Sequence, residues 1–114
     1  MARQTIAAAV ATGGYATAGV AAAETAADAT NFEQTVHTGR NFLLIGRNSG
    51  VTTRAITITS VADQQGRTGD VSDTLTSGQR KVYGPFPEEG WKQTNGYLYF
   101  QAAHAEVLWS VIRF

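Results

Sequence analysis

Few side chains in this sequence could do acid–base, nucleophilic or metal chemistry. It has two histidines, His37 and His104, and no cysteine, so it offers no thiolate nucleophile, disulfide or cysteine-ligated zinc site. Both histidines lie in the pattern of a turn or strand-edge residue. No phosphate-binding glycine loop, nucleophile elbow or His-Glu-x-x-His sequence is present. The sequence therefore predicts no enzymatic activity, no catalytic residue, no metal and no cofactor.

The carboxylates offer two further candidate sites, and neither pattern is specific. Glu88-Glu89 follows a proline in a polar loop, where adjacent carboxylates are usually solvated. A glycosidase needs two acids held apart on a rigid site. Asp70 and Asp73 could supply two ligands to a calcium ion, but the ion takes about six to eight oxygens. Solvated loop carboxylates are the simpler interpretation of both pairs.

Aromatic residues favour a different kind of site, because exposed rings stack on sugars. Tyr97 and Tyr99 share one face of a predicted strand, while Leu98 and Phe100 share the other, so one of the two faces must be core. Most of the rings are therefore expected to fill the core and its rim. A carbohydrate-binding face remains an alternative, drawn from Tyr83, Phe86, Trp91, Tyr97, Tyr99, Phe100 and Trp109.

Length and charge narrow the class of protein. The chain has 114 residues, which corresponds to one domain. Its 9 basic and 9 acidic residues give a formal net charge of zero. Because phosphate neutralisation needs clustered Lys and Arg, we expect no nucleic-acid partner.

The first thirty-one residues differ in composition from the rest. Of 18 alanines, 13 lie before Asn31, and this segment carries only three charges. The uncharged stretch 4–23 has the length of a membrane span, but its Ala, Thr and Gly contribute little insertion energy, so no membrane partner is expected. The same stretch lacks the Leu or Phe that is usual in a cleaved signal peptide. A helix over Ala16–Ala29 would bury almost nothing large.

An extended arm over residues 1–31 is the remaining interpretation. Its few large side chains offer too little burial to offset the entropy of ordering the segment. We therefore expect the arm to clasp neighbouring chains, for example by adding a strand to a sheet edge. The anchors predicted for that interface are Ile6, Val10, Tyr15 and Val20.

Residues 32–114 show the pattern of an all-β domain. Short apolar runs alternate with glycines, and Arg54–Val61 places Ile56 and Ile58 on one face. Such strands predict a small antiparallel β-sandwich or barrel with an extended N-terminal arm. Pro85 and Pro87 predict an edge or corner. Other strands are predicted at 40–47, 80–83, 97–101 and 105–114, with two more candidates at 32–37 and 70–75.

The last predicted strand is apolar on both faces. One face joins the predicted core, which comprises Phe42, Leu44, Ile56, Ile58, Leu98, Phe100, Val107, Trp109 and Val111. The other face carries Leu108, Ile112 and Phe114. Such a strand is either central to two packed layers or covered by another subunit. These three residues therefore join the predicted interface.

Several short motifs occur in a fixed order along the chain: Ala18-Gly19-Val20-Ala21, Asp28-Ala29-Thr30-Asn31, Gly39-Arg40-Asn41-Phe42-Leu43, Arg47-Asn48, Tyr83-Gly84-Pro85-Phe86-Pro87 and the final Arg113-Phe114. This ordered set resembles the capsid decoration (head auxiliary) proteins encoded beside the major capsid protein of tailed bacteriophages. The stretch Ala7–Ala11 and the loop Gln64–Ser77 depart from the family pattern.

The resemblance implies a non-enzymatic structural protein on the outer surface of a virion. Its implied partners are the major capsid protein and further copies of the same chain, with a trimer favoured. Two other classes stay open on the sequence alone. One is a carbohydrate-binding module, and the other is a secreted or pilus-like surface subunit, which would require processing of the N-terminus.

Overall fold

The computed structural model describes residues 3–10, 23–37 and 42–113. Within these ranges the protein is all-β, without a helix, as the sequence predicts. The strands are β1 (Gln4–Thr5), β2 (Ala9–Val10), β3 (Thr25–Ala26), β4 (Glu33–Val36), β5 (Phe42–Asn48), β6 (Arg54–Thr59), β7 (Val71–Leu75), β8 (Arg80–Tyr83), β9 (Tyr97–Ala102) and β10 (Val107–Arg113).

Two five-stranded sheets pack into a small sandwich. Sheet I has the order β1-β4-β9-β6-β7, and sheet II has the order β2-β10-β5-β8, with β3 also paired to β10. The pairs between the longer strands are all antiparallel. β1 and β2 add in parallel to β4 and β10, which makes both sheets mixed.

The core lies between the two sheets and contains every residue that the sequence analysis assigned to it. Period-2 alternation fixes this set, because successive side chains of a strand point to opposite faces. At its centre the Trp109 ring meets Phe100 edge to face, with centroids 4.9 Å apart. Gly46 of the paired strand β5 leaves room for that indole: a Cβ there would lie 3.1 Å from Trp109 Cζ3.

The described parts of the N-terminal segment pack on their own domain. The backbone N–H of Ile6 donates to Gln34 O at 2.9 Å, and the Thr35 hydroxyl donates to Ile6 O at 2.8 Å. These bonds place Ile6 in the core, where it is 4% exposed together with Ala27. The structure thus places Ile6 inside its own domain, because the residue after β1 lies beside Thr35 on the inward side of sheet I. A contact between Ile6 and neighbouring chains stays a prediction.

One side of the sandwich is closed by the edge strands β7 and β8, which follow each other in the chain. Asp73 of β7 accepts hydrogen bonds from Lys81 Nζ at 3.0 Å and from the Tyr83 hydroxyl at 3.0 Å, both on β8. The Lys81 ammonium, with smaller contributions from Thr74 N–H and Tyr83, holds the Asp73 pKa below its usual value. The predicted edge position beside Pro85 and Pro87 is confirmed, since β8 ends sheet II.

Candidate interaction surface

The two histidines occupy different environments. His37 follows β4, is 3% exposed and meets the Phe42 ring edge to face at 5.0 Å. His104 is exposed in the turn before β10, and its Nδ1 accepts a hydrogen bond from the Glu106 N–H at 3.1 Å. Both positions suit structural histidines at a strand end and a turn.

The candidate carboxylates do not form a cluster, because each makes hydrogen bonds or an ion pair with a different partner. Asp70 accepts hydrogen bonds from the backbone N–H and the hydroxyl of Ser60, at 2.7 and 2.8 Å. Asp73 faces the other way, into the ion pair with Lys81. Glu88 pairs with Lys92 at 2.8 Å. Across residues 3–10, 23–37 and 42–113 there is no group of three or more His, Asp or Glu side chains arranged to hold a metal ion.

Of the predicted interface residues, Leu108 and Ile112 lie on the outer face of sheet II and are half-buried. Val10 ends β2 at the edge of the same sheet and is 52% exposed. Tyr15, Val20 and Phe114 lie outside the described residues. The structure therefore brings three of the predicted residues to one sheet and places Ile6 in the core.

The outer face of sheet II is rich in branched aliphatic side chains. We call it the aliphatic face, comprising Leu43, Ile45, Val82, Leu108 and Ile112. The strand register places Ile112 opposite Leu43, and Ile45 opposite Val82. Val82 is its most open member, with 58% of its surface exposed. The other four members are half-buried.

The side-chain carboxylate of Glu24, in the N-terminal segment, lies beside the aliphatic face. Arg47 Nε and Nη2 donate to the two oxygens of Glu24 at 2.7 and 2.9 Å, and Arg80 Nη2 lies 3.8 Å from the same carboxylate. The Arg47 hydrogen bonds lower the Glu24 pKa below its usual value. The hydroxyl of Ser110 donates to Ala23 O at 3.1 Å. The outer side of sheet II therefore combines the five aliphatic side chains with a row of paired charges, in which the Arg80 side chain is 60% exposed.

The opposite face of the sandwich, the outer side of sheet I, has a different chemistry. Most of its outward positions carry amides, hydroxyls and two phenols: Gln34, Thr57, Thr59, Ser72, Thr74, Tyr97, Tyr99 and Gln101. Its apolar outward positions are Ala55 and Val36, and Val36 is 52% exposed. The guanidinium of Arg3 lies 4.0 Å from the Tyr99 ring centroid and covers that ring. Phe86, Phe100 and Trp109 are buried. The predicted aromatic set therefore does not form one stacking platform on this sheet.

Sequence reasoning missed one buried acid, Glu33, which is 0% exposed at the start of β4. Its Oε2 accepts a hydrogen bond from the Asp28 backbone N–H at 2.6 Å. Burial, and to a lesser degree the Asp28 charge, raises the Glu33 pKa to about 7 despite that bond. Alternation within Glu33–Val36 places Glu33 on the same side as Thr35, but a carboxylate at an inward position carries no sequence signal of burial.

No protein-family model, curated protein or solved structure matches this chain. Among the described residues, no helix is long and apolar enough to cross a membrane.

Proposed function

We propose that this protein is a non-enzymatic structural protein that decorates and stabilises the outer surface of a phage capsid. The observation that carries the proposal is the contrast between the two outer faces of the sandwich. One carries mostly amides, hydroxyls and phenols, with Val36 as its exposed aliphatic residue, while the other carries the five side chains of the aliphatic face beside Arg47 and Arg80. An apolar sheet surface of this kind is suited to burial against another protein.

The partner in this proposal is the major capsid protein, and the ordered motifs quoted above are its support. Further copies of the chain are proposed as neighbours on the shell, with a trimer favoured. Val10 lies at the β2 edge of sheet II and Val82 at its β8 edge, so both edges of the sheet carry an exposed aliphatic residue. Such edges suit lateral contacts between copies.

Two substitutions at matched positions test this function. Val82→Asp places a charge on the aliphatic face, and Ser72→Asp places the same charge on the exposed outer side of edge strand β7. We expect Val82→Asp to weaken co-sedimentation with shells assembled from the major capsid protein encoded beside this chain by roughly tenfold or more, because removing a charge from water at a protein contact costs several kcal/mol. Ser72→Asp should sediment like the wild type. Equal binding of both variants, or no binding of the wild type, would contradict the proposal.

A further inference from the structure

A cleft with a mixed apolar and polar lining lies at one end of the sandwich. It is formed by the β6–β7 loop and the β8–β9 loop and has a volume of about 400 Å³. Two backbone-mediated bonds join its walls: Val61 N–H donates to Gly90 O at 2.7 Å, and Gln64 N–H donates to Glu89 Oε1 at 3.3 Å. Its volume falls in the range of small-molecule sites.

One wall of the cleft is the half-buried indole of Trp91, with Pro87 beside it. The Trp91 ring meets Phe86 at 5.1 Å with an interplanar angle of 62°. Phe86 is 3% exposed and packs in turn on Phe42 of the core. The indole is thus anchored on its core side while it lines the cleft. Its N–H donates no hydrogen bond to any described residue.

Polar groups line the rest of the cleft, and the Arg67 side chain among them is 74% exposed. Asp63 Oδ1 accepts from the backbone N–H groups of Gln65 and Arg67, and Oδ2 accepts from Arg67 Nε at 2.8 Å. These bonds, with Arg67 N–H first, hold the Asp63 pKa below its usual value. Arg67 Nη2 contacts Gln65, which leaves Nη1 without a partner among the described residues. Glu89 likewise keeps Oε2 for an added donor.

We propose that this cleft binds a neutral pyranose sugar, with the C–H face of the ring against Trp91 and vicinal hydroxyls on Arg67 and Glu89. Sugar hydroxyls both donate and accept, and so match a guanidinium N–H and a carboxylate oxygen that line the same cleft. An anionic ligand would face Asp63 and Glu89 with one cation that is already paired. The proposal goes beyond capsid attachment and does not depend on it.

The test measures binding on the isolated full chain, so its failure is separate from failure at the shell. The probes are the methyl glycosides of glucose, galactose and N-acetylglucosamine and their trisaccharides, each titrated to about 20 mM, which is about twentyfold above a Kd of 1 mM. The readout is the backbone amide NMR shifts. We expect at least one probe to give saturable shifts at the amides of Val61, Gln64 and Gly90.

Trp91→Leu should weaken that binding by roughly tenfold or more, because the stacking surface is lost. Tyr97→Leu is the matched control, on the outer side of sheet I, and should bind like the wild type. Trp109 is fully buried, so its fluorescence reports whether Trp91→Leu is folded. If that variant unfolds, sugar binding is measured on the double variant Arg67→Met, Glu89→Gln. This variant keeps the Trp91 ring and removes the polar contacts, so it should also bind more weakly than the wild type.

Three results would overturn the proposal. The first is the absence of saturable shifts with every probe. The second is binding that survives both Trp91→Leu and the Arg67→Met, Glu89→Gln double substitution. The third is a set of shifts that maps to Tyr97 and Tyr99 on sheet I instead of to the cleft walls.

Discussion

At the scale of single residues, Glu33 is the position where burial and charge conflict most directly. Its carboxyl is fully buried under the N-terminal segment, near the Asp28 carboxylate and the Arg3 guanidinium. The Trp109 indole N–H lies close enough to favour the ionised form, but its contact is looser than a regular hydrogen bond. Glu33 Oε1 and Trp109 Nε1 are therefore without regular partners among the described residues. The neutral acid is the form that this site favours.

Glu33 should make stability fall as pH rises through neutrality. Its pKa is about 7 in the folded protein against 4.5 for an ordinary glutamate, so the folded state binds the proton more tightly. The stabilisation is complete below about pH 4.5 and is lost as pH rises through about 7. The expected loss in the free energy of unfolding is roughly 3 kcal/mol, from 1.36 kcal/mol per pKa unit.

Glu33→Gln isolates this effect, because the amide keeps an acceptor for the Asp28 N–H and cannot ionise. Urea unfolding between pH 4 and 8 should give a difference between wild type and Glu33→Gln that changes by roughly 3 kcal/mol across this window. Glu89→Gln, an exposed carboxyl, is the control and should run parallel to the wild type. A Glu33→Gln curve parallel to the wild type would refute the assignment.

At the scale of elements, the pairing of β5 with β10, the two central strands of sheet II, depends on the space beside the Trp109 ring. Gly46 lies opposite Trp109 in the register, and an added methyl would meet Trp109 Cζ3 at 3.1 Å and Leu75 Cδ1 at 3.3 Å. Both neighbours are fully buried and have little room to move. The pairing of β5 with β10 therefore requires glycine at position 46.

Gly46→Ala should lower the free energy of unfolding by roughly 1–3 kcal/mol, the usual cost of overpacking a core. Gly69→Ala is the matched control, since a Cβ there meets nothing within 4 Å. It should change stability by less than about 0.5 kcal/mol. Chemical denaturation of both variants is the measurement, and a neutral Gly46→Ala would mean that β5 and β10 lie further apart than described.

The N-terminal segment gives a second comparison between a buried and an exposed aliphatic residue. Ile6→Ala should cost roughly 2–5 kcal/mol, because Ile6 is 4% exposed within the core. Val10→Ala, at a residue 52% exposed, should cost less than about 0.5 kcal/mol. Thermal or urea unfolding distinguishes them. Equal, small effects would show that the segment does not pack on its own domain.

The sequence predicts the elements better than it predicts their partners. β6 and β9 follow from alternation such as Ile56 and Ile58 against Thr57, and β8 ends where the prolines require. The environments of Ile6 and Glu33 do not follow, because both depend on contacts with residues distant in sequence. Arg3 covers Tyr99 across nearly the whole chain. The composition of the first thirty-one residues predicts too few large side chains for packing. It carries no signal of the backbone pairing that joins β1 to β4 and β2 to β10.

At the scale of the whole molecule, the sandwich presents one outer face rich in aliphatic side chains, one rich in amides and hydroxyls, and a cleft at one end. In the proposed assembly the aliphatic face is turned to the shell or to neighbouring copies, while the outer side of sheet I, with its amides and hydroxyls, is turned to solvent. The formal net charge of zero removes long-range repulsion between copies packed closely on a surface. Attachment in this arrangement depends on apolar burial rather than on charge.

The most direct measurement of this arrangement is a cryo-electron microscopy reconstruction of capsids with the bound protein, at a resolution that separates its strands. We expect density for the sandwich on the outer surface of the shell, as trimers, with Ile45 and Val82 of the aliphatic face at a protein contact. Capsids without bound density would contradict the account. Sandwiches attached through the outer side of sheet I, with the aliphatic face open to solvent, would contradict it equally.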